Sequence, residues 1–204
     1  MPEFFTSLYQ QFLTTTALEW IATLSGFLCV FLAARQNILN WPISIVSVSI
    51  YAYIFFQSKL YGDTVLQLYF LFTAFYGWYY WSTLNAHDTR PIQVFTIRQM
   101  FTTIFLTIAL ATIIGSSLRA FTDTDVPYVD GFCTAVSFVA QFLMTRKVLQ
   151  NWLMWVVVDV LYIPLYIHKD LLLTAILYIA FAIIAWNGYR AWRLAYNKQH
   201  SNVE

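Results

Sequence analysis

Seven long, mostly apolar stretches separated by short polar segments dominate this sequence. They run roughly over residues 18–34, 38–57, 60–82, 99–118, 128–145, 149–167 and 171–192. A helix that crosses a bilayer needs about 20 predominantly apolar residues, and each stretch is close to that length. Strands of a membrane barrel would alternate apolar and polar residues over about 10 positions. Runs such as Val156–Val158 and Ile176–Ile184 do not alternate, so the expected fold is an all-α membrane protein with seven transmembrane helices. Composition agrees: the chain is 60% hydrophobic and only 10% charged, against roughly 25% charged in soluble domains. So few charges could not make the surface of a water-soluble fold.

Seven crossings put the two termini on opposite sides. Loops 1–2, 3–4 and 5–6 and the C-terminal tail share one side and carry Arg35, Arg90, Arg98, Arg146, Lys147, Arg190, Arg193 and Lys198. The other side has Lys59, Arg119 and Lys169, with Glu3, Glu19, Asp63, Asp123, Asp125, Asp130 and Asp170. Excess Lys and Arg mark the cytoplasmic side, so the C-terminus is expected in the cytoplasm and the N-terminus outside. The formal net charge of +1 offers no field for nucleic acid. Before the first apolar run there is no Lys or Arg, which argues against a cleaved secretory signal. Cys29 and Cys133 sit in apolar stretches without metal-ligand spacing, and are expected to pack rather than pair.

Residues 18–81 align without gaps on residues 129–192, at a constant offset of 111. Arg35-Gln-Asn-Ile-Leu-Asn40-Trp41 matches Arg146-Lys-Val-Leu-Gln-Asn151-Trp152; Tyr51 matches Tyr162; Gly77 and Trp81 match Gly188 and Trp192; Glu19 corresponds to Asp130. Aliphatic identities between two apolar stretches mean little, but Asn-Trp, Gly and Trp in one register do not arise easily by chance. The expected organisation is an N-terminal segment over 1–17, a first three-helix repeat over 18–82, a linker helix with flanking loops over 83–127, a second repeat over 128–192 and a tail over 193–204. Three helices plus one is an even number of crossings. The two repeats therefore enter the membrane from the same side, as in transporters that place substrate near the bilayer midplane between parallel repeats.

Polar residues inside the spans are few. Asp159 lies at the middle of its stretch between Val156-Val-Val and Val160-Leu. An acid at the bilayer centre costs about 2.5–3.5 kcal/mol on insertion scales, so it should face a cavity or a partner. Trp152, Trp155 and Asp159 follow i, i+3, i+7 spacing on one helix face, and Tyr162 and Tyr166 extend the stripe. Indole and phenol faces attract cations, and a carboxylate neutralises them: the stripe suits a flat aromatic cation. Against this, Trp at a span end also belongs to the interfacial aromatic belt, and an intramembrane acid can serve only to pair and pack. In the first repeat the positions of Trp155 and Asp159 hold Ser44 and Val48, so the chemistry is concentrated in one half. The amides Asn40, Asn151, Gln67 and Gln141 are further substrate-binding candidates, or else hydrogen-bond between helices. Pro164 is expected to kink its helix, and Gly77 and Gly188 to permit close helix contact.

No metalloprotease, hydrolase-elbow or nucleotide-loop motif is present, and His87, His168 and His200 fall in loops or the tail. The chain is therefore expected not to be an enzyme and to use no metal or cofactor. It resembles the PnuC-type vitamin transporters over residues 18–192. The resemblance rests on Asn40-Trp41-Pro42, on Tyr61-Gly-Asp-Thr-Val-Leu-Gln67 leading to Gly77-Trp78-Tyr-Tyr-Trp81, and on Asn151-Trp152-Leu-Met-Trp155-Val-Val-Val-Asp159. It implies a three-plus-one-plus-three fold like full-length sugar-transporting SWEETs, and a homotrimer in the bacterial inner membrane. It also implies nicotinamide riboside uptake by facilitated diffusion, with phosphorylation by a cytoplasmic kinase as the trap. Trp152, Trp155 and Asp159 carry over as substrate-region residues, with Gln67 and Gln141 beside them. Thiamine, also a flat cation, fits the same stripe; a SWEET-like sugar carrier is the other alternative, although a buried anion gains nothing from a neutral sugar.

Overall fold

The computed structural model describes residues 12–57, 61–83, 90–122, 124–168 and 172–201, the side chains of Tyr61, Gly62 and Leu173 excepted. Glu3, Lys59, His87, Asp123, Lys169 and Asp170 lie outside these residues. After a helical turn at 12–14 come α1 (Ala17–Ala34), α2 (Asn40–Gln57), α3 (Tyr61–Ser82), α4 (Ile97–Phe121), α5 (Pro127–Thr145), α6 (Asn151–His168) and α7 (Leu172–Ser201). Each begins within two residues of its expected start. Helix α7 runs nine residues past Trp192 into the stretch assigned to the tail. Helix α6 continues through Pro164. The chain is all-helical apart from loops and an isolated parallel bridge between Gln93 and Val148 among the described residues. Helices α1, α4, α5 and α6 are long and apolar enough to cross a membrane by length and hydropathy.

Local chemistry sets the helix starts. Thr16 caps α1 and Thr96 caps α4, each in a reciprocal capping box with Glu19 and Gln99. Asp130 accepts from Thr124 Oγ1 at 2.7 Å in the first turn of α5. The matched acids Glu19 and Asp130 are thus both engaged at helix starts.

Each helix packs on the next in the order α1, α2, α3, α5, α6, α7 and back to α1, closing a ring of six; α4 stands outside it, packed on α5. The α4–α5 contact is close because a Cβ on Gly131 would meet the Gly115 backbone N at 2.5 Å. The outward faces stay apolar: Phe72 is 72% and Phe105 71% exposed, with Leu24, Val65, Ile104 and Ile113 also open. A surface of this kind is stable against lipid, not water.

The repeat is visible in local geometry at the same offset. Arg35 and Arg146 end α1 and α5 with nearly the same dihedrals, φ −89° and −88°. The next residues, Gln36 and Lys147, both take φ 55°. In each turn the following residue then bonds back to helix, Asn37 N to Leu32 O at 2.9 Å and Val148 N to Leu143 O at 3.0 Å. Loops 1–2, 3–4 and 5–6 and the end of α7 meet at one end of the ring. There Gln93 N donates to Lys147 O at 2.9 Å, Lys147 Nζ to Arg90 O at 3.2 Å, and Ile92 N to Gln199 Oε1 at 3.2 Å.

Candidate substrate site inside the helical ring

Four tryptophans close the end of the ring where those loops gather. Trp41 meets Trp81 edge-on with centroids 5.2 Å apart, and Trp152 meets Trp192 likewise at 5.6 Å. Across the centre Trp81 and Trp192 are 6.1 Å apart. Trp81 Nε1 donates to Thr145 O at 3.0 Å, and Trp192 Nε1 to Ala33 O at 3.1 Å. Each repeat's last tryptophan is therefore fastened to the end of the other repeat's first helix. Gly77 and Gly188 make room: a Cβ there would come within 2.4 Å of the Trp41 ring and 2.9 Å of the Trp152 ring. Lys147 seals the same end. It is buried, its Nζ lies 4.5 Å from the Trp81 ring centroid, and burial pushes its ammonium pKa down to about 8.

This floor takes in three residues considered for substrate contact. Trp152 is fully buried beneath Gly188 and against Trp192. Asn40 and Asn151 are fully buried too, and each Nδ2 donates to the loop preceding its helix, to Asn37 O at 2.7 Å and Val148 O at 2.6 Å. In the structure all three brace the turns and the floor.

The rest of the stripe lies deeper along the ring. Trp155 crosses the interior to Phe70 of α3, with centroids 6.2 Å apart. Helices α3 and α6 are not neighbours in the ring, so this contact spans its inside. Asp159, one turn further on, is 5% exposed, and among the described residues its carboxylate has neither hydrogen-bond nor ion-pair partner. It sits at the middle of α6, about 10 Å from Trp152 at 1.5 Å per residue. Tyr162 and Tyr166 follow, and with Tyr178 of α7 they form a three-ring cluster with centroid separations of 5.5, 5.0 and 5.1 Å. Phe181 continues the wall, 6.1 Å from Tyr178 and stacked on Phe27 of α1 at 4.7 Å.

Gln67 is half-buried on α3, on the helical stripe that carries Ala74 and Trp81. At the repeat offset its counterpart is Tyr178. Gln141 is half-buried on α5, one turn before the Thr145 carbonyl that anchors Trp81. The structure thus aligns Trp155, Asp159 and Tyr162 along α6, with Gln67 on α3, and buries Trp152, Asn40 and Asn151 at the floor, where Trp152 Nε1 and Asn151 Oδ1 have no hydrogen-bond partner among the described residues. Sequence reasoning did not single out Tyr178 or Phe70. The signal was the repeat itself, since Tyr178 answers Gln67 and Phe181 answers Phe70. Cys29 and Cys133 are unpaired, Cys133 buried against Val136 and Val158.

The family model described as nicotinamide mononucleotide transporter matches residues 16–194. The chain belongs to this family of membrane transporters. The family is not one of enzymes, in line with the missing catalytic motifs. The nicotinamide riboside transporter PnuC of Escherichia coli K12 is 28% identical over 201 residues, covering 86% of this chain and 84% of that protein. The riboflavin/roseoflavin transporter RibM of Streptomyces davaonensis is 23% identical over 181 residues, with 86% and 84% covered. A crystal structure of the vitamin B3 transporter PnuC matches with a TM-score of 0.74 at 25% identity, over 96% of this chain and 88% of that one. Family and structure agree on a multi-pass, all-helical membrane carrier of small molecules.

Proposed function

We propose that this chain takes up nicotinamide riboside through the interior of the six-helix ring, by facilitated diffusion across the bacterial inner membrane. The observation that carries this reading is the unpartnered Asp159 carboxylate between Trp155 and the Tyr162–Tyr166–Tyr178 cluster. A buried charge without a partner is costly, and a bound cation offsets that cost. A pyridinium ring supplies the cation and a flat face for the aromatic rings. Its ribose hydroxyls have Gln67 and the tyrosine phenols within the same compartment. The names of the relatives support the choice of vitamin.

In this reading all seven helices cross the membrane as two parallel repeats joined by α4. The floor of tryptophans is the cytoplasmic end, the N-terminus lies outside and the C-terminus is cytoplasmic. Its support is that the loops richest in Arg and Lys are those that meet at the floor. Net flux needs a sink, which phosphorylation by a cytoplasmic kinase supplies. The working unit is a homotrimer with one pathway per protomer.

The test is calorimetric titration of the purified protein with nicotinamide riboside, thiamine and riboflavin, on wild type, Asp159→Asn and the exposed-loop control Asp125→Ala. Nicotinamide riboside is expected to bind tightest, and Asp159→Asn to weaken it at least about tenfold, 1.4 kcal/mol, while Asp125→Ala leaves it unchanged. Tighter thiamine binding would replace the vitamin while keeping the site. Riboflavin, the ligand named for the 23% relative, brings no cation; tight riboflavin binding insensitive to Asp159→Asn would remove both vitamin and site.

A further inference from the structure

A cavity outside the ring belongs to none of this machinery. It lies between α4, α5 and α6 and has two joined parts. One is a polar mouth at the start of α4, lined by Thr96, Arg98, Gln99 and Thr102. The other is a slot of about 460 Å³ walled by Ile104, Phe132, Val136, Met154 and Val157. Phe95 and Thr103 line both.

The slot asks for hydrocarbon. Of the polar groups along it, Thr107 Oγ1 already donates to Thr103 O at 2.8 Å, and Gln150 Oε1 already accepts from Phe95 N at 3.2 Å. Its three helices are among the four that are long and apolar enough to cross a membrane, so the slot opens at hydrocarbon depth. The mouth asks for an anion. No acid lines it, and among the described residues the Arg98 guanidinium has no hydrogen-bond or ion-pair partner. The capping box occupies the N–H groups of Thr96 and Gln99 and leaves those of Ile97 and Arg98 without intrahelical acceptors, at the positive end of the helix dipole.

We infer that this cavity is a binding site for an anionic phospholipid, with the phosphate at Arg98 and the start of α4 and one acyl chain in the slot. Basic pockets between membrane helices hold anionic headgroups; here charge and hydrocarbon shape are joined in one cavity. One basic residue at the membrane surface contributes about 1 kcal/mol, or about fivefold in affinity.

Native mass spectrometry of the full chain in detergent, with phosphatidylglycerol or phosphatidylcholine of the same chains, tests the inference. Wild type is expected to retain phosphatidylglycerol about fivefold more strongly. Arg98→Gln should remove that preference while keeping weak retention of both lipids. Val157→Trp, which fills the slot from a partly exposed wall position, should lower retention of both. Equal retention of the two lipids by wild type overturns the inference, as does an undiminished preference in Arg98→Gln. If Val157→Trp shifts the oligomer mass and leaves lipid retention intact, the slot belongs to a second copy of the chain and the lipid assignment falls. Neither substitution touches the ring interior, so these outcomes stand apart from those of the vitamin titration.

Discussion

Placing a methyl group on Gly77 tests the floor directly. An alanine Cβ there would meet three carbons of the Trp41 ring at 2.4, 2.5 and 2.6 Å. The ring has little room to retreat: Trp41 is 1% exposed and braced by Trp81 on another side. At Gly188 the corresponding contacts with Trp152 are all 2.9 Å, a milder overlap. Overpacking costs about 1–3 kcal/mol, so Gly77→Ala belongs at the upper end and Gly188→Ala at the lower. Each substitution also gains about 1 kcal/mol because alanine is the better helix former. The net expectation is a loss of about 2 kcal/mol for Gly77→Ala and almost none for Gly188→Ala. At about 2–4 °C per kcal/mol for a chain of this size, Gly77→Ala should unfold about 4–8 °C below wild type. Thermal unfolding in detergent, followed by loss of the size-exclusion peak, reads this out. In a Trp41→Leu background the same substitution should no longer lower the unfolding temperature. Equal melting of wild type and Gly77→Ala, or a larger loss at Gly188, refutes the packing argument.

Three other expectations are open to measurement. Asp159→Asn keeps the size and shape of the side chain and removes the acid, so it should weaken cation binding while leaving the unfolding temperature of the ligand-free protein close to wild type; a clear drop in unfolding temperature as well would show that the carboxyl group is structural. Trp81→Phe and Trp192→Phe each lose one indole hydrogen bond and should cost about 1 kcal/mol apiece. Because those rings meet, the double mutant should depart from the sum, whereas strict additivity in the same melting assay would separate the two fastenings. Burial lowers the Lys147 pKa to about 8 from its ordinary value near 10.5, so the unfolded chain binds more protons between those limits and stability rises with pH there. The gap in unfolding temperature between wild type and Lys147→Gln should therefore shift in favour of wild type from pH 8 to pH 10; a gap independent of pH would place the Lys147 ammonium in water.

The helices were legible because lipid imposes a length; the apolar runs alone put the starts of α1 and α4 at 18 and 99, and the capping boxes of Thr16 with Glu19 and Thr96 with Gln99 fix them at Ala17 and Ile97. Closure into a ring was not legible, since periodicity says which face is buried but not against which helix. The candidate site was legible as a pattern of residue types along one helix. Helical spacing puts Trp155, Asp159 and Tyr162 on one face of α6, and the same spacing includes Trp152, which packs beneath Gly188. A tryptophan that covers a glycine and one that offers a face to a ligand look alike in sequence. Asn40 and Asn151 show a related ambiguity: each amide nitrogen fastens the turn before its helix, while Asn151 Oδ1 is buried with no hydrogen-bond partner among the described residues.

The two indole fastenings at the floor depart from exact two-fold symmetry. In a pair of identical subunits related by a two-fold axis, both tryptophans would have to grip the same carbonyl. Here Trp192 grips Ala33, whereas Trp81 grips Thr145, the counterpart of Ala34. The stagger is a single residue, so the two halves interlock at the floor through contacts that are similar without being identical, and only one of the halves holds the carboxylate.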